Sequence, residues 1–95
     1  MGAVADAIRD KLTRAFQPER LEVVDESARH AGHAGAGDGR GETHFDVAIV
    51  SAAFEGLSRV ARQRAVNTAL AEELRGPVHA LSIRALAPGE AEPWR

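Results

Sequence analysis

The sequence predicts an α+β domain with the element order helix–strand–strand–helix–strand, in which two helices cover one face of a three-stranded mixed sheet. Two observations support this prediction. Apolar residues recur at three- and four-residue spacing in two segments, which is typical of amphipathic helices. Elsewhere they form short β-prone or alternating runs, as in half-buried strands. The length of 95 residues suits one small core, so a single domain is expected over 1–95.

The first helix is predicted over residues 3–16 and ends before Pro18. Its apolar positions at helical spacing are Ala5, Ile8, Leu12 and Phe16. A first strand is predicted over 21–27, a compact β-prone run that becomes acidic at its end. The following residues 28–43 are rich in glycine and predict a loop, which carries His30 and His33.

The clearest strand signal lies in residues 44–51, which begin with His44. Next, a second helix is predicted from Ser58, a plausible N-cap, to residue 74, and Gly76-Pro77 ends it. A third strand is predicted over 78–86, in which His79 has the same parity as Leu81 and Ile83, and an irregular tail over 87–95.

The topology predicts where the histidines meet. The first two strands follow each other directly and should pair antiparallel, whereas the helical connection makes the second and third strands parallel. Parallel strands begin at the same end of a sheet, so His44 and His79 should lie together. The glycine-rich loop with His30 and His33 is expected at that same end.

Composition excludes several classes of function. A net charge of −2 provides no general attraction to nucleic acid or to an anionic membrane, and no apolar run approaches the roughly 20 residues that cross a bilayer. We therefore expect a soluble, cytoplasmic protein without a membrane partner. The chain has no cysteine, which excludes disulfides and any zinc site that needs its own thiolates.

The four histidines are the candidate metal ligands. His79 and His30 are favoured over His33 and His44, and for each of them a solvated or hydrogen-bonded surface histidine stays an alternative. A closed structural zinc site usually has four Cys or His ligands with tight spacing, which makes a zinc module the weakest hypothesis. A site shared with a partner that supplies soft ligands fits the donor set better.

No residue pattern indicates catalysis. The serines lie outside any nucleophile elbow, and no paired carboxylates mark a pocket, so a non-enzymatic protein is expected. In the second helix, Arg59, Arg62 and Arg64 form either a basic patch for an anionic partner or an ordinary solvated helix face. Both interpretations stay open.

The stretches LEVVDESARH, THFDVAIVSAAFEGLSRVARQRAVN and LAEELRGPVHALSIRAL together resemble the BolA family over about residues 8–86. The specific elements are DES-x-x-H, THF, VS-x-x-F-x-G, the R-x-x-x-N helix and VHAL. This resemblance implies a fold similar to a class II KH domain, which agrees with the predicted element order.

The resemblance also implies a function: the family partners monothiol glutaredoxins in iron–sulfur cluster trafficking or in iron and redox regulation. A bridging 2Fe-2S cluster is held there by the glutaredoxin cysteine, a glutathione thiolate and imidazoles of the BolA-like protein, which has no cofactor when alone. The family's C-terminal histidine corresponds to His79 and its variable loop ligand to His30. The glycine-rich loop is longer than usual and contains the additional His33, so the choice between His30 and His33 stays open.

Other members of the family are linked to transcriptional regulation and DNA binding. A KH-like DNA-binding regulator is therefore the alternative function, and Arg59, Arg62 and Arg64 would then contact phosphates.

Overall fold

A computed structural model of the chain describes residues 2–26 and 43–90. The elements within these ranges are α1 (Ala3–Phe16), β1 (Arg20–Asp25), β2 (His44–Val50), a 3₁₀ turn (Ala52–Phe54), α2 (Arg59–Ala69), α3 (Ala71–Arg75) and β3 (Ala80–Leu86). Among the described helices, none has the length and apolar character to cross a membrane.

The three strands form one mixed sheet in the order β1-β2-β3. Antiparallel pairing of β1 with β2 places Val23 opposite Val47, and parallel pairing of β2 with β3 places Val47 beside Ile83. The predicted element order and strand directions are therefore confirmed. The predicted and observed ends of each strand differ by at most two residues. The predicted last residue of the first strand, Ser27, lies outside the described ranges.

The core occupies one side of the sheet. Ile8 and Leu12 of α1 are fully buried and belong to one cluster with Phe45, Val47 and Ile49, the alternate residues of β2. Between them on β2, Asp46 is exposed on the opposite face. The alternation that predicted the strand therefore also separates the helix-covered face from the exposed one.

The prediction of one helix over 58–74 is wrong, because the structure has two helices in this segment, α2 and α3. Leu70 separates α2 from α3 with φ −107° and ψ 21°, values outside the helical region. Leu70 is 1 % exposed, so its packing in the core stabilises the non-helical backbone at this position. With neither glycine nor proline at this position, the local sequence gives no breaker signal. The N-cap at Ser58 is confirmed, because its Oγ accepts a hydrogen bond from the Ala61 N–H at 3.1 Å.

The break places Glu72 and Glu73 in the first turn of α3, where they bind α1. Lys11 Nζ lies 2.8 Å from Glu72 Oε1 and 2.8 Å from Glu73 Oε2. Hydrogen bonds to these two carboxylates raise the pKa of Lys11, and the ammonium lowers the pKa of Glu72. Glu72 and Glu73 therefore join α3 to α1 through Lys11.

The edge strand β3 is covered by side chains of α2. Gln63 Nε2 donates to the carbonyl of Ile83 at 3.1 Å, and Arg62 Nη1 donates to the carbonyl of Ala85 at 3.0 Å. Two main-chain acceptors at the edge of the described sheet are thereby satisfied within the chain.

Candidate functional site

Thr43, His44 and His79 form the candidate site, which we term the histidine edge. The parallel register places His44 beside Ala80, so His79 lies just before β3, level with Thr43. The carbonyl of Thr43 accepts hydrogen bonds from the backbone N–H of His79 at 2.7 Å and of Ala80 at 3.2 Å. The prediction that His44 and His79 meet at one end of the sheet is confirmed.

The two imidazole rings lie close together. Their centroids are 6.3 Å apart and their planes differ by 30°, a stacked arrangement. His79 is exposed, whereas His44 is half-buried and its Nδ1 lies 2.8 Å from Thr43 Oγ1. Thr43 belongs to the THF motif, but the motif did not indicate this contact of its hydroxyl with His44, because the contact depends on the local backbone at the start of β2.

His30 and His33 lie outside the described residues, so their predicted place at this end stays a prediction. The residues on either side of that segment are described. The N–H of Glu26 donates to the carbonyl of His44 at 2.7 Å, and Thr43 immediately precedes β2. Both attachment points of the segment 27–42 are therefore at the histidine edge.

The donor chemistry of the histidine edge is limited to imidazole. Within residues 2–26 and 43–90, no group of three or more His, Cys, Asp or Glu side chains could hold a metal ion. The 95-residue sequence has no cysteine. The described part of the chain therefore places two imidazoles at this edge, of which His79 is the more exposed, and any thiolate ligand must come from another molecule.

Among the three arginines predicted to contact a partner, Arg62 has a structural role. Its guanidinium donates to both carboxylate oxygens of Glu90, at 2.8 and 2.9 Å, and also to the carbonyls of Leu57 and Ala85. These hydrogen bonds, together with one from the Ala87 N–H, lower the pKa of Glu90 to about 2.

Arg59 and Arg64 are both exposed on α2. They are therefore the members of the predicted basic patch that a phosphate can reach without breaking the hydrogen bonds of Arg62.

A groove in the described structure lies elsewhere. It measures about 760 Å³ and extends from the exposed face of the sheet to the start of α2, and neither His44 nor His79 lines it. Its lining includes Glu22 and Asp46 as well as Arg59 and Arg84. Carboxylates and guanidiniums thus share the groove, which gives it no single-sign surface for an anion.

Comparisons with known proteins agree on one family. The model of the family described as BolA-like protein matches residues 12–90. Human BolA-like protein 1 is 53% identical over 95 residues, which is 100% of this chain and 64% of that protein. The chain therefore spans slightly less than two thirds of this relative. A solved structure, the BolA domain of SufE1 from Arabidopsis thaliana, superimposes with a TM-score of 0.84 at 45% identity, covering 96% of this chain and 99% of that one.

The name of a further relative states a function for that protein. The DNA-binding transcriptional regulator BolA of Vibrio cholerae is 46% identical over 80 residues, which is 84% of this chain and 71% of that protein.

Proposed function

The chain belongs to the BolA-like family, and on that premise we propose that it binds a monothiol glutaredoxin and co-ligates a bridging 2Fe-2S cluster through histidines. Glutathione completes the ligand set. The protein acts as a non-enzymatic partner that captures or modifies the cluster, in iron–sulfur cluster trafficking or in iron and redox regulation. Its cytoplasmic location stays a prediction.

The observation that supports this proposal is the position of His79. Its imidazole is exposed, while its backbone N–H is bonded to the Thr43 carbonyl at 2.7 Å. A partner can therefore reach the ring without unfolding a strand. Since the chain contains no thiol, it fits only the imidazole half of a mixed ligand set, and the glutaredoxin cysteine and glutathione supply the sulfur. Imidazole in place of thiolate raises the reduction potential of such clusters.

The second imidazole in this proposal comes from His30. This residue is four positions beyond Glu26, and a stretch of four residues spans at most about 14 Å. His30 and His33 both stay candidates for the second ligand. Single substitutions of the two loop histidines decide between them.

Co-reconstitution with a monothiol glutaredoxin, iron, sulfide and glutathione tests the proposal. The wild-type mixture should give a visible absorption and circular dichroism spectrum distinct from that of the glutaredoxin homodimer. His79→Ala should abolish that spectrum, because it removes the exposed ligand. Ser82→Ala, an exposed position on β3, the strand that begins just after His79, is the matched control and should retain it. A wild-type spectrum identical to the homodimer's would reject cluster sharing.

A DNA-binding regulator is the second candidate function. It is favoured by the name of the Vibrio cholerae relative and by the exposed Arg59 and Arg64. DNA affinity that falls steeply with salt, and that decreases when both arginines are replaced by alanine, would support it. Cluster sharing depends instead on glutathione and iron, so the two candidates respond to different variables.

A further inference from the structure

We propose that the open face of the sheet binds a second copy of this chain and forms a two-fold symmetric dimer. The open face consists of the strand residues that line the groove on the side of the sheet opposite the core: Glu22, Val24, Asp46, Ala48, Ser82 and Arg84. Neither His44 nor His79 lines this groove. The inference therefore goes beyond the proposed function and involves neither a glutaredoxin nor a cluster.

The open face is exposed to solvent. Core residues of α1 and α2 pack on the opposite face of the sheet. Of the six residues of the open face, five are exposed and Ala48 is half-buried. Val24 is 41% exposed, and Leu57, which lines the same groove beside α2, is 38% exposed. Two of the three large apolar side chains that are exposed in the described ranges therefore lie along this groove.

The charged side chains are separated by sign across the groove. The carboxylates of Glu22 and Asp46 belong to β1 and β2, whereas the guanidiniums of Arg84 and Arg59 belong to β3 and to the start of α2. Within the described part of the chain, no ion pair engages any of these four side chains. The groove thus has an acidic half beside a basic half.

A two-fold axis makes these two halves complementary. When one groove lies face to face on another, with the axis parallel to the strands and between β2 and β3, each β2 faces β3 of the partner subunit. Each β1 then faces the start of α2 of the partner subunit. Asp46 is thereby placed against the half that carries Arg84, and Glu22 against the half that carries Arg59. Both pairings occur twice, so the charges favour this association.

The same arrangement brings exposed apolar side chains together. Val24 lies on β1 and Leu57 lies just before α2, so each Val24 approaches Leu57 of the partner subunit. Three strands about 23 Å long and about 4.8 Å apart make a flat face of roughly 300 Å². A standard interface buries roughly 800 Å² per partner, so we expect a weak and reversible dimer.

Other occupants match only part of the groove. The acidic half repels DNA, and a peptide of one charge sign is attracted by one half and repelled by the other. A second copy offers both signs in the required order. The observations therefore favour self-association.

Sedimentation velocity of the full chain alone tests the proposal, with protein concentrations from about 10 µM to about 1 mM, the range that a weak interface requires. We expect a monomer–dimer equilibrium that depends on concentration. Raising sodium chloride from about 0.05 to about 0.5 M should shift it toward monomer, because salt screens the exposed charges. A monomer at every concentration and at low salt would overturn the proposal.

Charge reversal tests the assigned surface. Glu22→Lys/Asp46→Lys makes the groove basic throughout, and Arg59→Glu/Arg84→Glu makes it acidic throughout. Each variant alone should dimerise at least about tenfold more weakly than the wild type, because like charges then face each other. An equimolar mixture of the two variants should restore dimers, as heterodimers.

The control is Arg64→Glu/Arg75→Glu, which makes the same change in net charge at exposed positions outside the groove. It should weaken dimerisation by no more than about twofold, since these side chains lie outside the assigned interface. An equal loss in this control, unchanged self-association of either groove variant, or a mixture that stays monomeric would contradict the proposal. Far-ultraviolet circular dichroism verifies that every variant is folded. All four histidines are retained, so failure here and failure of cluster sharing are independent results.

Discussion

Ser51 shows how a single polar side chain joins distant parts of this fold. It is 1 % exposed, and its Oγ donates to the carbonyl of Phe16 at 2.6 Å while accepting from the N–H of Ala53 at 3.0 Å. The rings of Phe16 and Phe54 meet beside it with centroids 5.0 Å apart. The hydroxyl of Ser51 therefore links the C-terminal end of α1 to the turn after β2 through two hydrogen bonds.

Replacement of Ser51 by alanine should lower the free energy of unfolding by about 1 to 3 kcal/mol, because it leaves the Phe16 carbonyl and the Ala53 N–H without this partner. Urea denaturation measures the change. Ser58→Ala, which removes an exposed N-cap, should cost about 1 kcal/mol or less. An equal or smaller effect at Ser51 would show that its two hydrogen bonds contribute little to stability.

The positions of individual residues were predicted correctly where the strand topology alone determines them. His44 and His79 were expected together because parallel strands start at one end, and the structure confirms this. The roles of Thr43 and Ser51 were missed because each depends on the distance between atoms that are brought together only by folding. A serine or threonine in the sequence gives no sign of such a contact.

At the scale of elements, the Arg62–Glu90 pair connects α2 to the chain after β3. The salt bridge is bidentate, because both carboxylate oxygens of Glu90 accept hydrogen bonds from the guanidinium. The side chain of Arg62 is 12% exposed. The pKa of Glu90 falls from an ordinary 4.5 to about 2, chiefly because of the hydrogen bond from Arg62. A carboxyl with a lowered pKa stabilises the fold above its unfolded pKa, and this stabilisation is lost as the pH falls through the folded value.

Glu90→Gln should therefore lower the urea midpoint at pH 7, and the difference from wild type should shrink between pH 4.5 and about 2 and vanish below it. Unfolding at a series of pH values measures this. Glu55→Gln, at an exposed glutamate before α2, controls for the loss of one negative charge. A difference that persists unchanged at pH 2 would contradict the assigned role of Glu90.

The predicted helix ends are correct where a capping or helix-breaking residue marks them, and wrong where no such residue is present. Pro18 and the Ser58 cap marked real ends of helices. The break at Leu70 has no such signal, since it arises from the packing of a buried leucine and from the Lys11 contacts with α3. Tertiary packing overrides local propensity at this point.

At the scale of the molecule, stability depends on the core that the described residues form on one face of the sheet. Leu12 is fully buried in it, whereas Leu57 is 38% exposed beside α2. With one core and a small chain, a single cavity removes a large share of the total stability.

Leu12→Ala should reduce the free energy of unfolding by about 2–5 kcal/mol, whereas Leu57→Ala should change it by no more than about 0.5 kcal/mol. Denaturant unfolding of both variants measures the contrast, with the same side-chain atoms deleted in each. Comparable losses at the two positions would mean that the core is not confined to the helix-covered face.

The coverage of β3 by α2 has a consequence for how this protein meets other chains. A foreign strand that added itself along the C-terminal half of β3 would have to displace the side chains of Arg62 and Gln63 from the carbonyls of Ala85 and Ile83. Open-ended fibrillar growth from that edge is thereby opposed. His44 and His79 lie at the opposite end of the β2–β3 pair, so a partner that binds there leaves this protection of the edge intact.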